Sequence, residues 1–244
     1  SGYLLNLVND VLDMNKLESG NIELERKHFN LLEVLHNTNE ITRMQANESG
    51  VNYYVEDGGI IHTQLVGSPV HFQQILMNIG SNAVKYNHDG GSVTVTCREV
   101  SYTDTTAGYE LTCTDTGIGM SEEFQKRAFE PFAQEGQSAR TKYAGTGLGL
   151  AIARKLTELQ GGTLFFESIQ GKGTKFILRI PFEISAEEQE KKSHMYQNCS
   201  VEGIQVLLVE DNELNMEIAE FLLKEEKMIV TKAWNGREAV EIFE

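Results

Sequence analysis

From Gln73 to Tyr86 the chain reads Gln-Gln-Ile-Leu-Met-Asn-Ile-Gly-Ser-Asn-Ala-Val-Lys-Tyr, a helical pattern whose two faces need opposite surroundings. Ile75, Leu76 and Ile79 call for burial. Asn78, Asn82 and Lys85, at i, i+4 and i+7, place their polar ends along one wet stripe. Ser68-Pro69 just upstream offers a cap and a first-turn proline, so the spacing predicts one long helix from there to about Tyr86. Two carboxamides and an ammonium on one stripe suit a phosphate chain with its divalent cation. An amide oxygen ligates Mg2+ without adding charge, and a lysine meets phosphate as a point charge. A plainly solvated helix face would look the same, and this helix alone does not choose between the two.

The flanking patterns set the organisation. Apolar positions at Leu4, Leu5, Val8, Val11, Leu12 and Leu17 predict a helix over residues 3–18 that needs a partner and stops at Gly20. A short strand around Ile22 and Leu24, a helix from Leu31 to Ala46, and strand-like runs at Val51–Val55 and Ile60–Val66 follow. Alternation in Ser92–Cys97 and Tyr109–Cys113 predicts two half-buried strands. After the glycine-punctuated stretch Asp115–Gly149, which holds one short helix and a polar loop, a helix from Leu148 to Gln160 ends at Gly161-Gly162. Thr163–Ser168 and Thr174–Pro181 read as a closing hairpin. Residues 183–203, rich in Glu, Lys, Gln and Ser, read as a linker. The continuous apolar run Val206–Val209 then predicts a parallel strand buried on both faces, followed by a helix (Leu214–Lys227), a short strand (Met228–Thr231) and a helix start at Asn235.

Composition removes several function classes. The 244 residues carry 36 acids and 21 bases, a formal charge of -15. Nucleic acid and anionic membrane surfaces both demand a net basic face, so neither fits as the main partner. Cys97, Cys113 and Cys199 are scattered without a C-x-x-C pair, which argues against a disulfide framework or structural zinc and makes a reducing cytosol the default. No run of 18 apolar residues and no basic leader occur, and the chain opens inside a helical pattern without Met, so it reads as a piece of the cytoplasmic part of a longer protein.

Three further motifs follow the polar helix in order. Asp115-Thr-Gly117-Ile-Gly119-Met120 comes directly after a strand. A carboxylate there can accept from an exocyclic amine while two glycines permit close backbone approach. Phe129-Glu-Pro-Phe132 sets two aromatics around a turn, alone more often plain packing. Gly145-Thr146-Gly147-Leu148-Gly149-Leu150 opens a helix, where backbone N–H groups and the helix dipole attract phosphate. Its spacing is not the dinucleotide fingerprint, and alone it is weak. The preceding segment Gln134–Lys142 reads as a mobile lid carrying Arg140 and Lys142.

Taken together and in this order, the four motifs resemble the asparagine, first glycine, aromatic and second glycine boxes of the histidine-kinase ATP-binding domain. The resemblance covers about Phe29 to Phe182. It implies the gyrase-type α/β sandwich, a mixed, mostly antiparallel sheet with three helices on one face. It also implies ATP with Mg2+: Asn82 as Mg2+ ligand, Asn78 and Lys85 on the phosphate side, Tyr86 near the nucleotide, and Asp115 reading the adenine amine. Gly117 and Gly119 would lie at the base, Phe132 beside the site, and Gly145, Thr146, Gly147, Leu148 and Gly149 at the lid hinge and phosphates. Arg140 or Lys142 would be the lid cation, and the sequence does not choose between them.

The flanks are similar to those of hybrid sensor kinases. Residues 1–20 resemble the end of the dimerisation and phosphoacceptor hairpin, which implies a homodimer in the parent protein. Residues 21–182 would be the catalytic domain, 183–203 the linker, and 204–244 the first part of a flavodoxin-like receiver domain. In that part Glu210 and Asp211 resemble the acidic pair that binds Mg2+. The implied activity is transfer of the ATP γ-phosphate to a His and onward to a receiver Asp, on the same protein or a downstream phosphotransfer partner. Membrane anchoring would come only through segments outside these residues. Two elements of the family's pattern are missing. The only His-acid pair, His88-Asp89, lies in a turn, and all six histidines read as surface or packing residues. The receiver phosphoacceptor Asp would lie beyond Glu244. An ATP-hydrolysing or serine-kinase relative on the same fold would carry Glu at the Asn78 position as a base, and a non-catalytic signalling module would have less reason to keep Asn82, Asp115 and the lid glycines.

Overall fold

The computed structural model describes residues 8, 11–17, 19–20, 22–56, 58–135, 146–186 and 202–243. They divide into two compact units, within residues 1–189 and 190–244.

The larger unit is built on a seven-stranded sheet. Its strands are β1 (Lys27–Asn30), β2 (Asn52–Glu56), β3 (Gln64–Gly67), β4 (Ser92–Tyr102), β5 (Thr106–Asp115), β6 (Thr163–Ile169) and β7 (Gly173–Ile184). The order is β1-β3-β7-β5-β4-β2, with β6 also paired to β7. Every pairing is antiparallel except β2 with β4. The alternation legible around Tyr109 is the whole of β5: Ala107, Tyr109, Leu111, Cys113 and Asp115 are buried, and the residues between them are more exposed. Helices α1 (Leu31–Glu48), α2 (Pro69–Lys85) and α4 (Gly149–Leu159) cover that buried side, with α2 packed between the other two; α3 (Glu122–Gln125) is a single turn. Phe72, Ile75 and Ile79 of α2 enter the core beside Ile152 and Leu156 of α4. Phe182 on β7 receives the ring edges of Phe29 and Phe72. Leu17, from a helical segment at residues 11–17, is buried in the same core, and Gly20 ends that segment at φ 70°.

Three local expectations are corrected. Ile22 and Leu24 form no strand; the first strand is Lys27–Asn30, placed by its ladder with β3, in which Phe29 faces Leu65. The run Ile60–Val66 is a strand only from Gln64, because the N–H groups of Ile61 and His62 both donate to Glu99 Oε2 (2.8 Å each) instead of to a neighbouring strand. Ser68 precedes α2 without capping it through its side chain; its hydroxyl pairs with His71 Nδ1 at 2.7 Å. Asn30 does cap α1, accepting from Leu32 and Glu33 N–H.

In the smaller unit β8 (Gln205–Val209) and β9 (Ile229–Ala233) pair in parallel, connected by α5 (Glu213–Glu225) and followed by α6 (Gly236–Phe243). Asn235 caps α6, accepting from Arg237 and Glu238 N–H.

Candidate nucleotide site

Asp115 closes β5 and is buried at the edge of the helical layer. Its Oδ1 accepts from the N–H of Gly117 (2.8 Å) and of Thr174 at the start of β7 (3.2 Å). Among the described residues both hydrogen bonds go to this one oxygen, which leaves Oδ2 to meet an outside donor. Burial pushes the carboxyl up to about 6, and the two backbone N–H groups only partly offset that rise. The turn between β6 and β7 packs behind it. Gly171 N–H donates to Ile118 O (2.7 Å), Met120 N–H donates to Ser168 Oγ (2.9 Å), and Gln125 Nε2 bridges Met120 O and Ser168 O.

The four motifs, scattered over about 75 positions, converge here. Ile118 N–H donates to Tyr86 O (3.0 Å), joining the first glycine motif to the end of α2. A Cβ on Gly117 would lie 2.3 Å from Tyr86 O, and one on Gly119, at φ 63°, would lie 2.1 Å from Ile169 O. These glycines therefore let the chain interlock with its own carbonyls. A Cβ on Gly149, the first residue of α4, would lie 3.2 Å from Asn78 Oδ1, so the polar stripe of α2 meets the second glycine motif. Gly147, at φ 74°, abuts Phe132 and Ala133 of the aromatic motif. Phe132 itself sits at φ 62° and is 61% exposed, whereas Phe129 packs inward on Phe166.

Asn78, Asn82 and Lys85 are half-buried, as one partly wet stripe requires. Their amides make no side-chain hydrogen bond among the described residues, while Lys85 Nζ sits 4.7 Å from the Tyr86 ring centroid and 3.2 Å from its hydroxyl. Leu148 differs from its neighbours: its side chain is fully buried in the core and its N–H donates to Thr146 Oγ1 (3.2 Å). Glu210 and Asp211 lie in the smaller unit after β8, where Glu210 Oε1 accepts from Asn212 N–H and Asn215 Nδ2. Among the described residues no three His, Cys, Asp or Glu side chains cluster as a metal site. Arg140, Lys142 and Gly145 lie outside the described residues. A buried carboxylate with one oxygen to spare, glycine-lined backbone and two amides without partners among the described residues fit an adenine nucleotide and its cation.

Sequence reasoning missed the residues that hold this arrangement. Asn87 is buried one position after Tyr86; its Nδ2 donates to Ser92 O (2.9 Å) and its Oδ1 accepts from His88 N–H, tying α2 to β4. Its place in a Gly-rich turn was the one signal that could have found it. Thr174 and Ser168 had none, because their contact with Asp115–Met120 depends on the β6–β7 register.

This sheet, its three-helix layer and the convergent motifs define a class of ATP-binding domain. Residues 67–184 match the family of histidine kinase-, DNA gyrase B- and HSP90-like ATPases. Within that class the chain is similar to sensor kinases. It is 31% identical over 242 residues to the Autoinducer 2 sensor kinase/phosphatase LuxQ of Vibrio vulnificus, covering 98% of this chain and 28% of that protein. It is 32% identical over 239 residues to the Aerobic respiration control sensor protein ArcB of Escherichia coli, covering 98% of this chain and 30% of that protein. The chain thus spans under a third of the length of these relatives. Among solved structures, full-length ShkA in complex with AMPPNP aligns with a TM-score of 0.62 at 25% identity, over 98% of this chain and 47% of that one.

Proposed function

We propose that the larger unit is the ATP-binding catalytic core of a hybrid sensor histidine kinase acting in a two-component phosphorelay. Residues 1–20 then belong to the end of its dimerisation hairpin, and residues 204–244 open its receiver domain. The observation that carries this reading is the buried Asp115, held at Oδ1 by two backbone N–H groups beside a helix whose polar stripe is amide and not acid. Asp115 Oδ2 accepts from the adenine amine. Asn82 offers its amide oxygen to Mg2+, and Asn78 and Lys85 orient the phosphates. Arg140 or Lys142 brings positive charge to the terminal phosphate in a chain of net charge -15. ATP supplies the transferable phosphoryl group when bound. Asn78 has no basicity with which to activate water, which favours transfer to a His over hydrolysis. The acceptor His and Asp belong to the parent protein's hairpin and receiver, and the partner that follows is its own or a downstream receiver. Among the described residues no helix is long and apolar enough to cross a membrane, and on this reading these residues face the cytoplasm while other segments provide any anchor.

The test is calorimetric titration of Mg-ATP into wild type and Asp115→Asn. A hydrogen bond to a charged group contributes about 1.5–3 kcal/mol, so the variant should bind roughly 10- to 100-fold more weakly. Equal affinities would overturn the assignment of Asp115.

A further inference from the structure

The polar stripe of α2 begins one turn earlier than the nucleotide motif. Gln74, Asn78 and Asn82 follow one another at four-residue steps, so they line one side of the helix. Gln74 does not face solvent alone: its Nε2 donates to Asp13 Oδ2 at 2.8 Å, in a part-buried contact from the helical segment at residues 11–17. That segment is anchored beside it by Leu17, 3% exposed in the domain core, with Val11 and Met14 packed against the same core. Four residues, about 6 Å along the helix axis, separate Gln74 from Asn78. Asn78 in turn lies against Gly149 at the start of α4. The docked segment therefore holds a carboxylate next to the end of the site that takes phosphate.

We infer that Asp13 is an electrostatic coupling residue: docking of residues 11–17 and binding of a polyphosphate nucleotide oppose each other. This rests on the nucleotide reading given above. Mg-ATP keeps net negative charge, and a carboxylate held by Gln74, four residues before Asn78, repels it through a part-buried contact where screening is incomplete. Linkage makes the effect reciprocal: whatever factor the docked segment takes from nucleotide affinity, the nucleotide takes from docking. The Asp13–Gln74 contact is then a latch that nucleotide loosens, and it transmits site occupancy to the helix that leads into the domain.

The test uses the full chain and two variants. Asp13→Asn keeps an oxygen that accepts from Gln74 and removes the charge; Gln74→Leu removes the contact. Asp13→Asn should bind Mg-ATP about two- to fivefold more tightly than wild type at low salt. The gain should shrink for ADP, vanish for adenosine, and fade at high salt. Hydrogen exchange should show residues 11–17 losing protection when wild type takes up Mg-ATP and losing less in Asp13→Asn. In Gln74→Leu the segment should be poorly protected with or without nucleotide. A structural contact alone would give no dependence on phosphate number or salt. Equal Mg-ATP affinity of wild type and Asp13→Asn at low salt, or protection of residues 11–17 indifferent to bound Mg-ATP, would overturn the coupling and leave the nucleotide reading intact. Failure of every variant to bind Mg-ATP would overturn both.

Discussion

At the scale of single residues, the binding role proposed for Asp115 is set against the stability of the domain. Its carboxyl is raised to about 6 by burial, so the folded domain holds that proton more tightly than the unfolded chain does. The associated stability is fully present below the unfolded value near 4 and is lost as pH rises through about 6, a change on the order of 3 kcal/mol. Asp115→Asn keeps an oxygen for Gly117 and Thr174 and abolishes that titration. The nucleotide-free variant should therefore be more stable than wild type at pH 7.5, and the difference should disappear near pH 4, as read by urea unfolding. Nucleotide bound as proposed would favour the ionised form, so wild-type ATP affinity should fall as pH drops below about 6. Gly119 is constrained differently. Its φ is 63°, and a Cβ there would meet the Ile169 carbonyl oxygen at 2.1 Å, which leaves no room for a side chain. Gly119→Ala should destabilise the domain by about 2 kcal/mol or more in thermal unfolding. The glycine spacing was legible in the sequence; which backbone comes close was not, since Ile169 lies 50 positions further on and only the β6–β7 turn brings it there.

At the scale of elements, local pattern identified most helices and strands and misplaced those whose limits are set elsewhere. Lys-His-Phe-Asn has no strand signal of its own, yet it is β1, because β3 offers it a ladder. Conversely, the apolar Ile60 and Ile61 are not in a strand, because Glu99 reaches over from β4 and takes their segment's donors. That carboxylate is 3% exposed and also meets His62 Nδ1 at 2.5 Å, while the Tyr109 hydroxyl donates to His62 O (2.6 Å). Burial pushes the Glu99 carboxyl upward, but hydrogen bonds from His62 and Ile61 outweigh it and hold its pKa below the usual carboxylate value. Its stabilising contribution is thus present above about 4.5 and is lost as pH falls below that value. Glu99→Ala would take this acceptor from two backbone donors and from a buried imidazole, costing about 3 kcal/mol or more in denaturant unfolding. A loss under 1 kcal/mol would show that the segment finds other partners.

At the scale of the whole molecule, the pieces present define what the chain can do by itself. It holds a nucleotide site, but His88-Asp89, its only His-acid pair, sits in an exposed turn. With radiolabelled ATP the chain alone should take up no acid-labile, base-stable label, and label should appear only on a hairpin bearing an acceptor His supplied in trans. Transfer there should be slow, because nothing tethers the hairpin to the chain. Label on this chain would make one of its own histidines an acceptor. The order β1-β3-β7-β5-β4-β2 has a further consequence, for how the domain comes into being. Its seam strand, β7, is the last of the seven to be synthesised. Until Ile184 has been added, β1 and β3 cannot join β5, β4 and β2, and β5 presents an open edge. Thr174, which fixes Asp115, arrives on that same strand. The nascent chain therefore has no finished pocket with which to recruit ATP as a folding aid, and such a long-range closure is intrinsically slow. Nucleotide can act only afterwards, by slowing the escape of a domain that has already closed.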